Sequence, residues 1–196
     1  MIVDIGGGTT EVAVLSLGGT VVSESVRIAG DEINESIATY LKKTHNMVVG
    51  ERTAEDIKIK IGSAFPDDEF DATSIEVRGL HLSSGLPRSI TLNAGEIREA
   101  MSDPLNKIVE AIKRTLERTP PELAADIVER GIMLAGGGAL VRGISDLVSH
   151  ETGIFAQISE NPLLCVVNGC GAVLDNFKKL KRVVDTPEFI GNAIRD

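Results

Sequence analysis

Asp4-Ile5-Gly6-Gly7-Gly8-Thr9-Thr10-Glu11 places a carboxylate, three glycines and two hydroxyls within one short stretch, between apolar runs at 1–5 and 12–17. Glycine has no Cβ, so the chain can turn sharply and an anion can approach the peptide amides. Successive amides turned inward form a concave anion site. Asp4 would repel a bare phosphate. It fits if a cation such as Mg2+ lies between, because hard cations take carboxylate and phosphate oxygens, often through water. An ordinary hairpin turn would carry the same glycines. The flanks narrow the choice. The Walker loop and the dinucleotide fingerprint both need their glycines to open a helix. Residues 11–17 read as a strand, no Gly-Lys-Ser/Thr follows, and Glu11 stands where a third fingerprint glycine belongs. What remains is a strand, glycine loop, strand arrangement around a phosphate.

A second glycine run, Gly136-Gly137-Gly138-Ala139-Leu140, follows the apolar stretch Ile132-Met133-Leu134-Ala135 and precedes a helical pattern. That order puts accepting backbone at the carboxyl end of a strand, where open α/β sheets bind ligands. Glycine also leaves room for a flat ring, and a dinucleotide fingerprint would need glycine at Val141. Glu55 and Lys58 lie one helical turn apart and can line one wall of a cleft, although their spacing equally suits a surface ion pair. Gly30-Asp31 opens a helix whose first turn can face an anion or simply be capped.

These groups must be held by elements, and the chain supplies them in order. Strands at 1–5, 11–17 and 20–28 form a meander with Gly18-Gly19 as a hairpin turn. A helix follows with Ile33, Ile37, Ala38 and Leu41 on one face. Thr53 with Asp56 reads as a capping box opening a second helix that carries Ile57, Ile61 and Ala64. Residues 65–69 read as an acidic loop. Strands at 74–82, with Ile75, Val77 and Leu82 on one face, and at 89–92 complete a small α+β insertion. Asn93 with Glu96 caps the next helix, and Asp103-Pro104 should kink or restart it. Leu105, Ile108, Val109, Ile112 and Leu116 form its stripe. Thr119-Pro120-Pro121 stops that helix and opens another, closed by Gly131. A last strand is expected at 154–158. The final helix starts at Asn161-Pro162, and its apolar residues wrap most of its girth, so burial on more than one side is expected. Close packing at Gly169 and Gly171 would fit that burial. The tail 183–196 reads as a mobile terminus.

The chain has 196 residues and a net charge of −9, which argues against a general nucleic-acid surface. The one basic cluster, Lys178-Lys179-Leu180-Lys181-Arg182, suits a solvated helix end. Cys165 and Cys170 lack metal or redox spacing and read as buried thiols in a reducing compartment. No apolar run approaches the ~20 residues of a membrane span. His45, His81 and His150 stand alone and receive no metal or catalytic role. A core strand beginning at Met1 suggests the C-terminal part of a longer protein.

Two glycine loops about 130 residues apart, with an α+β insertion between them, resemble the C-terminal half of the actin, Hsp70 and sugar-kinase ATPase superfamily. Within it, residues 4–11, 27–31, 50–55, 119–123 and 134–143 resemble the bacterial MreB family. The resemblance implies an α/β fold, a ribonuclease-H-like actin-type half with a mixed sheet flanked by helices. Residues 1–33 and 92–160 would form that core and 34–91 the insertion. The helix at 161–182 would pack on an N-terminal domain, and 183–196 would be a tail. It implies ATP and Mg2+ as ligands. Gly6, Gly7, Gly8 and Thr9 would cradle the β- and γ-phosphates, and Asp4 would hold Mg2+. Ala54, Glu55, Asp56, Ile57 and Lys58 would form the nucleoside wall, with Glu55 on the ribose. Gly136, Gly137, Gly138 and Ala139 would lie under the adenine and α-phosphate. No catalytic residue is assigned, because the family's first phosphate loop and water-positioning acid lie upstream of Met1. This polypeptide alone is therefore expected to bind ATP weakly and not turn it over, although a full-length parent would be an ATPase. The resemblance further implies homopolymer filaments in the cytoplasm that direct cell-wall synthesis and rod shape. They would work with the elongation machinery at the inner membrane, touching the membrane through the absent half. An Hsp70-like nucleotide module, a sugar kinase and a purely structural fragment are the alternatives.

Overall fold

The structure, a computed structural model, describes residues 1–177 and Leu180. Eight strands form two sheets. The larger has β1 (Ile2–Ile5), β2 (Thr10–Ser16), β3 (Gly19–Val26), β7 (Ile132–Ala135) and β8 (Ala156–Ile158), in the order β3-β2-β1-β7-β8. Its first three strands are the antiparallel meander, whereas β7 and β8 run parallel to β1. The smaller sheet has β4 (Met47–Val48), β5 (Ser74–His81) and β6 (Pro87–Asn93), in that order.

Alternation along β1 and β2 sends Val3, Ile5, Val12 and Val14 to one face, and Ile132 and Leu134 of β7 join them. Helices α1 (Gly30–Thr44), α4 (Ala94–Glu117) and α6 (Ile144–Thr152) supply the matching apolar stripes. Helix α2 (Glu51–Ile61) buries Ala54, Ile57 and Ile61. The short α3 (Asp68–Asp71) and α5 (Pro121–Arg130) add Phe70, Leu123 and the buried Ile127 to the same core, and α7 (Cys165–Asp175) is the last described helix. The apolar core is continuous from one sheet to the other.

Several local expectations are corrected. The first hairpin turns at Leu17-Gly18, both at positive φ, and Gly19 already pairs with Ser16. Thr53 and Asp56 lie inside α2, which starts one turn earlier after Gly50. Residues 68–71 form α3, with the Asp67 side chain accepting from the Phe70 amide. Leu82 falls beyond β5 and on the opposite parity from Ile75 and Val77. Asp103-Pro104 does not break α4, which runs through both. Proline removes the amide that would bond to the carbonyl four residues back. Here that carbonyl belongs to Ala100, and Ser36 Oγ on α1 donates to it at 2.6 Å. The Asn93 and Glu96 capping box forms as expected.

The end of the chain differs most. Leu163, Leu164, Val166, Val167 and Leu174 are half or more exposed, so α7 is not buried on two sides by the described residues. A Cβ at Gly169 or Gly171 would meet nothing within 4 Å. Cys170 is exposed and Cys165 partly so, hydrogen-bonded to the Asn161 carbonyl at 3.3 Å. The reason is shared: no described residue packs on these faces. The tail 183–196 and most of the basic cluster lie outside the described residues.

Candidate functional site

The two glycine loops leave neighbouring strands at the same end of the sheet. Strands β1 and β7 are parallel, and Asp4 pairs with Ala135. Their loops therefore begin side by side. Gly136 has φ 81° and ψ 171°, a region essentially reserved for glycine. A Cβ there would lie 2.3 Å from the Ile5 carbonyl oxygen and 2.4 Å from Asp4 Oδ1. At Gly138 it would overlap Ile5 Cγ2 at 2.2 Å. The absence of side chains at these two positions is what lets the second loop close onto the first.

The first loop is pinned from behind. The Gly6 amide donates to the Thr9 carbonyl at 2.9 Å, and Thr10 Oγ1 donates to the Ile28 carbonyl at 2.7 Å. The amides opening α1 then take the loop's own carbonyls: Gly30 to Gly6 at 3.1 Å and Asp31 to Gly7 at 2.8 Å. With those carbonyls turned inward, the exposed amides of Gly7 and Gly8 have no protein acceptor among the described residues, and neither has that of Gly137. Free amides on loops that meet at one sheet end are what an oxyanion needs.

A cleft of about 600 Å³ opens there, within the range of small-ligand sites. One wall carries Gly6, Gly7, Gly30 and Asp31, another Glu55 and Lys58, and a third Gly137 and Gly138. Lys58 Nζ donates to the Gly30 carbonyl at 3.2 Å. Burial lowers its pKa below the ordinary 10.5, against the pull of the Glu55 and Asp31 carboxylates. Glu55 and Lys58 thus stand on the cleft wall and form no surface ion pair with one another.

Other expected residues fall elsewhere. Gly8 is exposed beside the Asp31 carboxylate, and Thr9 closes the loop. Ala54 and Ile57 are sealed in the core and do not line the cleft. Asp56 lines a separate groove against Ile75 and Val77. Gly136 and Ala139 support the second loop from beneath, Ala139 being fully buried. Asp4 lies half-buried between the two loops. Among the described residues no cluster of three or more His, Cys, Asp or Glu could hold a metal alone. Asp4 therefore fits a cation whose remaining ligands are phosphate oxygens and water, as Mg2+ prefers.

The rest of the cleft lining comes from residues that sequence reasoning left out: Ile59, Lys60, Gly62, Phe70, Leu140, Val141, Arg142 and Leu163. The Ala64 amide donates to the Arg142 carbonyl at 2.7 Å, tying the exit of α2 to the second loop. The Arg142 guanidinium lies 4.2 Å from the Phe70 ring centre and donates to Asp67 Oδ2 at 3.0 Å. The Phe70 amide, then Arg142, hold the Asp67 carboxyl below its ordinary pKa. No local spacing signals this cluster, because its partners are some 70 residues apart in sequence.

The sequence pattern of the MreB/Mbl protein family matches residues 1–182. The cell shape-determining protein Mbl of Bacillus subtilis (strain 168) is 48% identical over 182 residues, 93% of this chain and 54% of its own. The cell shape-determining protein MreB of Escherichia coli (strain K12) is 54% identical over 175 residues, 89% of this chain and 50% of its own. The chain thus spans about half the length of the curated relatives it matches. Among solved structures, MreB5 of Spiroplasma citri bound to ADP superposes with a TM-score of 0.86 at 35% identity, covering 94% of this chain and 55% of that one. A MamK double helical filament, at 21% identity and a TM-score of 0.69, shares the fold over 91% of this chain and 54% of its own.

Proposed function

Because the chain belongs to the MreB/Mbl family and has its actin-like fold, we propose that it holds one side of an ATP–Mg2+ site in a filament-forming shape-determining protein. One observation carries this reading: two glycine loops on adjacent parallel strands line a single cleft, and the Gly7 and Gly137 amides have no protein acceptor among the described residues. The relative from Spiroplasma citri was crystallised with ADP and with AMPPNP, which supports a nucleotide as the ligand. Gly7 and Gly8 would offer amides to the terminal phosphates, while Gly6, whose amide is taken by the Thr9 carbonyl, would set the turn with Thr9 and line the cleft beside them. Asp4 would hold Mg2+, which screens phosphate charge when bound. Lys58 would add a cation beside the phosphates, and Glu55 would accept from the ribose hydroxyls. Gly136, Gly137, Gly138 and Ala139 would form the floor beneath the nucleotide. Ala54 and Ile57 anchor α2 in the core, and Asp56 faces a separate groove.

Residues 1–33 and 92–160 would be the ribonuclease-H-like core, 34–91 the insertion, and the exposed face of α7 a seat for a further domain. Self-assembly into a cytoplasmic, membrane-apposed filament that guides wall synthesis through the elongation machinery follows from family membership and belongs to the whole protein. So does ATP hydrolysis. Calorimetric titration of the 196-residue chain with ATP and Mg2+ tests the site. Saturable binding that Asp4→Asn weakens is expected. Binding that ignores Asp4, Gly7 and Lys58 substitutions would overturn it. Sedimentation of a full-length protein with and without ATP tests assembly.

A further inference from the structure

A second hollow, of about 350 Å³, is lined by α1 and by the first residue of α2. Its walls are Asp31, Glu32, Asn34, Glu35, Ala38 and Glu51. Residues 31, 34, 35 and 38 fall at helical spacing, so α1 turns one continuous stripe toward it. Four carboxylates line the hollow and no lysine or arginine does. None of the four enters a salt bridge among the described residues. Helix dipoles account for Asp31, Glu32 and Glu51, each in a first turn, where negative charge is favoured. They do not account for Glu35, one turn further on, which Asp31 repels at four residues' spacing. Nor do they account for Asn34. It is the one buried residue of the lining, 5% exposed, and its Oδ1 has no donor among the described residues. An orphaned buried acceptor destabilises the chain that carries it, so a donor arriving from outside gains more here than at an ordinary surface.

The fitting occupant is positive and donates hydrogen bonds. A bare metal ion does not fit, because among the described residues no three of His, Cys, Asp or Glu could hold one. A guanidinium is larger and carries five N–H donors in a flat fork, so it can serve an acceptor in the floor and carboxylates on the rim together. Its alkyl stem would lie along Ala38, as such stems lie along apolar surface. We infer that the hollow receives an arginine side chain presented by a protein segment outside this chain, with Asn34 accepting from the guanidinium and Glu35 and Glu51 balancing its charge. The inference stands apart from the ATP-site reading, since none of these three residues lines the cleft.

Amide chemical-shift titration of the full 196-residue chain tests it. The probe is N-acetyl-argininamide. The comparisons are its uncharged citrulline analogue, N-acetyl-lysinamide, spermidine and Mg2+. Saturable shifts at residues 31–38 and Glu51 are expected with the arginine probe, and none with citrulline. Binding should be at least about fivefold tighter than for the lysine probe or spermidine, which lack the planar fork. Glu35→Gln and Glu51→Gln should each raise the Kd about fivefold, the upper scale of an exposed ion pair. Asn34→Leu, which drops the acceptor, should raise it about tenfold. If the amide spectrum shows that Asn34→Leu is unfolded, the two glutamine variants decide. Equal binding of the arginine and citrulline probes, or binding that survives the substitutions, would overturn the inference. Tighter binding of spermidine would give the hollow to a free polyamine, and saturation of the same amides by Mg2+ alone would give it to a metal. Either result would overturn the arginine assignment.

Discussion

Gly136→Ala probes the contact that brings the two loops together. The native backbone there has φ 81° and ψ 171°. Holding a residue with a side chain in that region costs about 1–3 kcal/mol. The new methyl would also lie 2.3 Å from the Ile5 carbonyl oxygen and 2.7 Å from its carbon. These are backbone atoms of a paired strand, so relief requires shifting the β1–β7 ladder. Overpacking of that kind adds about 1–3 kcal/mol. Gly153→Ala supplies the control, because φ there is also positive at 70° yet nothing lies within 4 Å. It should lose only the left-handed penalty, about 1–2 kcal/mol. Equilibrium urea unfolding should therefore show Gly136→Ala losing more than twice as much as Gly153→Ala. ATP titration should show at least a tenfold weakening in the first and none in the second, since a displaced loop takes its amides away from the phosphates. Equal stability losses would refute the steric argument. Unchanged ATP binding in Gly136→Ala would refute the claim that both loops serve one ligand.

Ser36→Ala should cost about 1–3 kcal/mol by orphaning the Ala100 carbonyl. In a Pro104→Ala background, where an amide returns to that carbonyl, the cost should fall below about 1 kcal/mol, as a double-mutant cycle by urea unfolding would show. Lys58→Met should weaken ATP binding at neutral pH by about tenfold, the scale of a lost charged contact. The gap should close before pH reaches the ordinary lysine value of 10.5, because burial lets Lys58 shed its proton early. In that window the unfolded chain holds more protons, so wild-type stability should rise with pH relative to Lys58→Met, as paired urea titrations would reveal. Glu24→Gln removes the carboxylate that Arg114 meets at 2.6 Å and Arg118 at 3.6 Å. A loss of about 1 kcal/mol is expected, shrinking in high salt.

The meander, the two glycine loops and most helix starts were legible because short-range rules govern them. Asn93 and Glu96 satisfy each other's backbone within one turn, so the sequence announces the cap. Pro104 shows where such rules stop. Its local signal says break, yet Ser36, on another helix, serves the stranded carbonyl and the helix continues. Glu55 and Lys58 were legible at the cleft wall through the family resemblance, since their spacing by itself favoured a surface ion pair. Ala54 and Ile57 fell in the core because a helix shows a cleft only one of its faces. Arg142 and Phe70 were missed for the opposite reason: only the folded chain brings them into contact. The exposed α7 shows a third limit. Its apolar girth read as burial on more than one side, yet among the described residues that girth is exposed, because periodicity does not say what, if anything, covers a face.

Helix α4 touches β2 and β3 of the larger sheet and β6 of the smaller, along with α1, α2, α3 and α6. A beam shared by two rooms cannot be given to either. Expressing 34–91 by itself would remove the side of α4 that β6, α2 and α3 now pack against. Deleting 34–91 would strip that same side of α4 bare. The chain should therefore melt in one step, and proteases should find no intermediate core to spare.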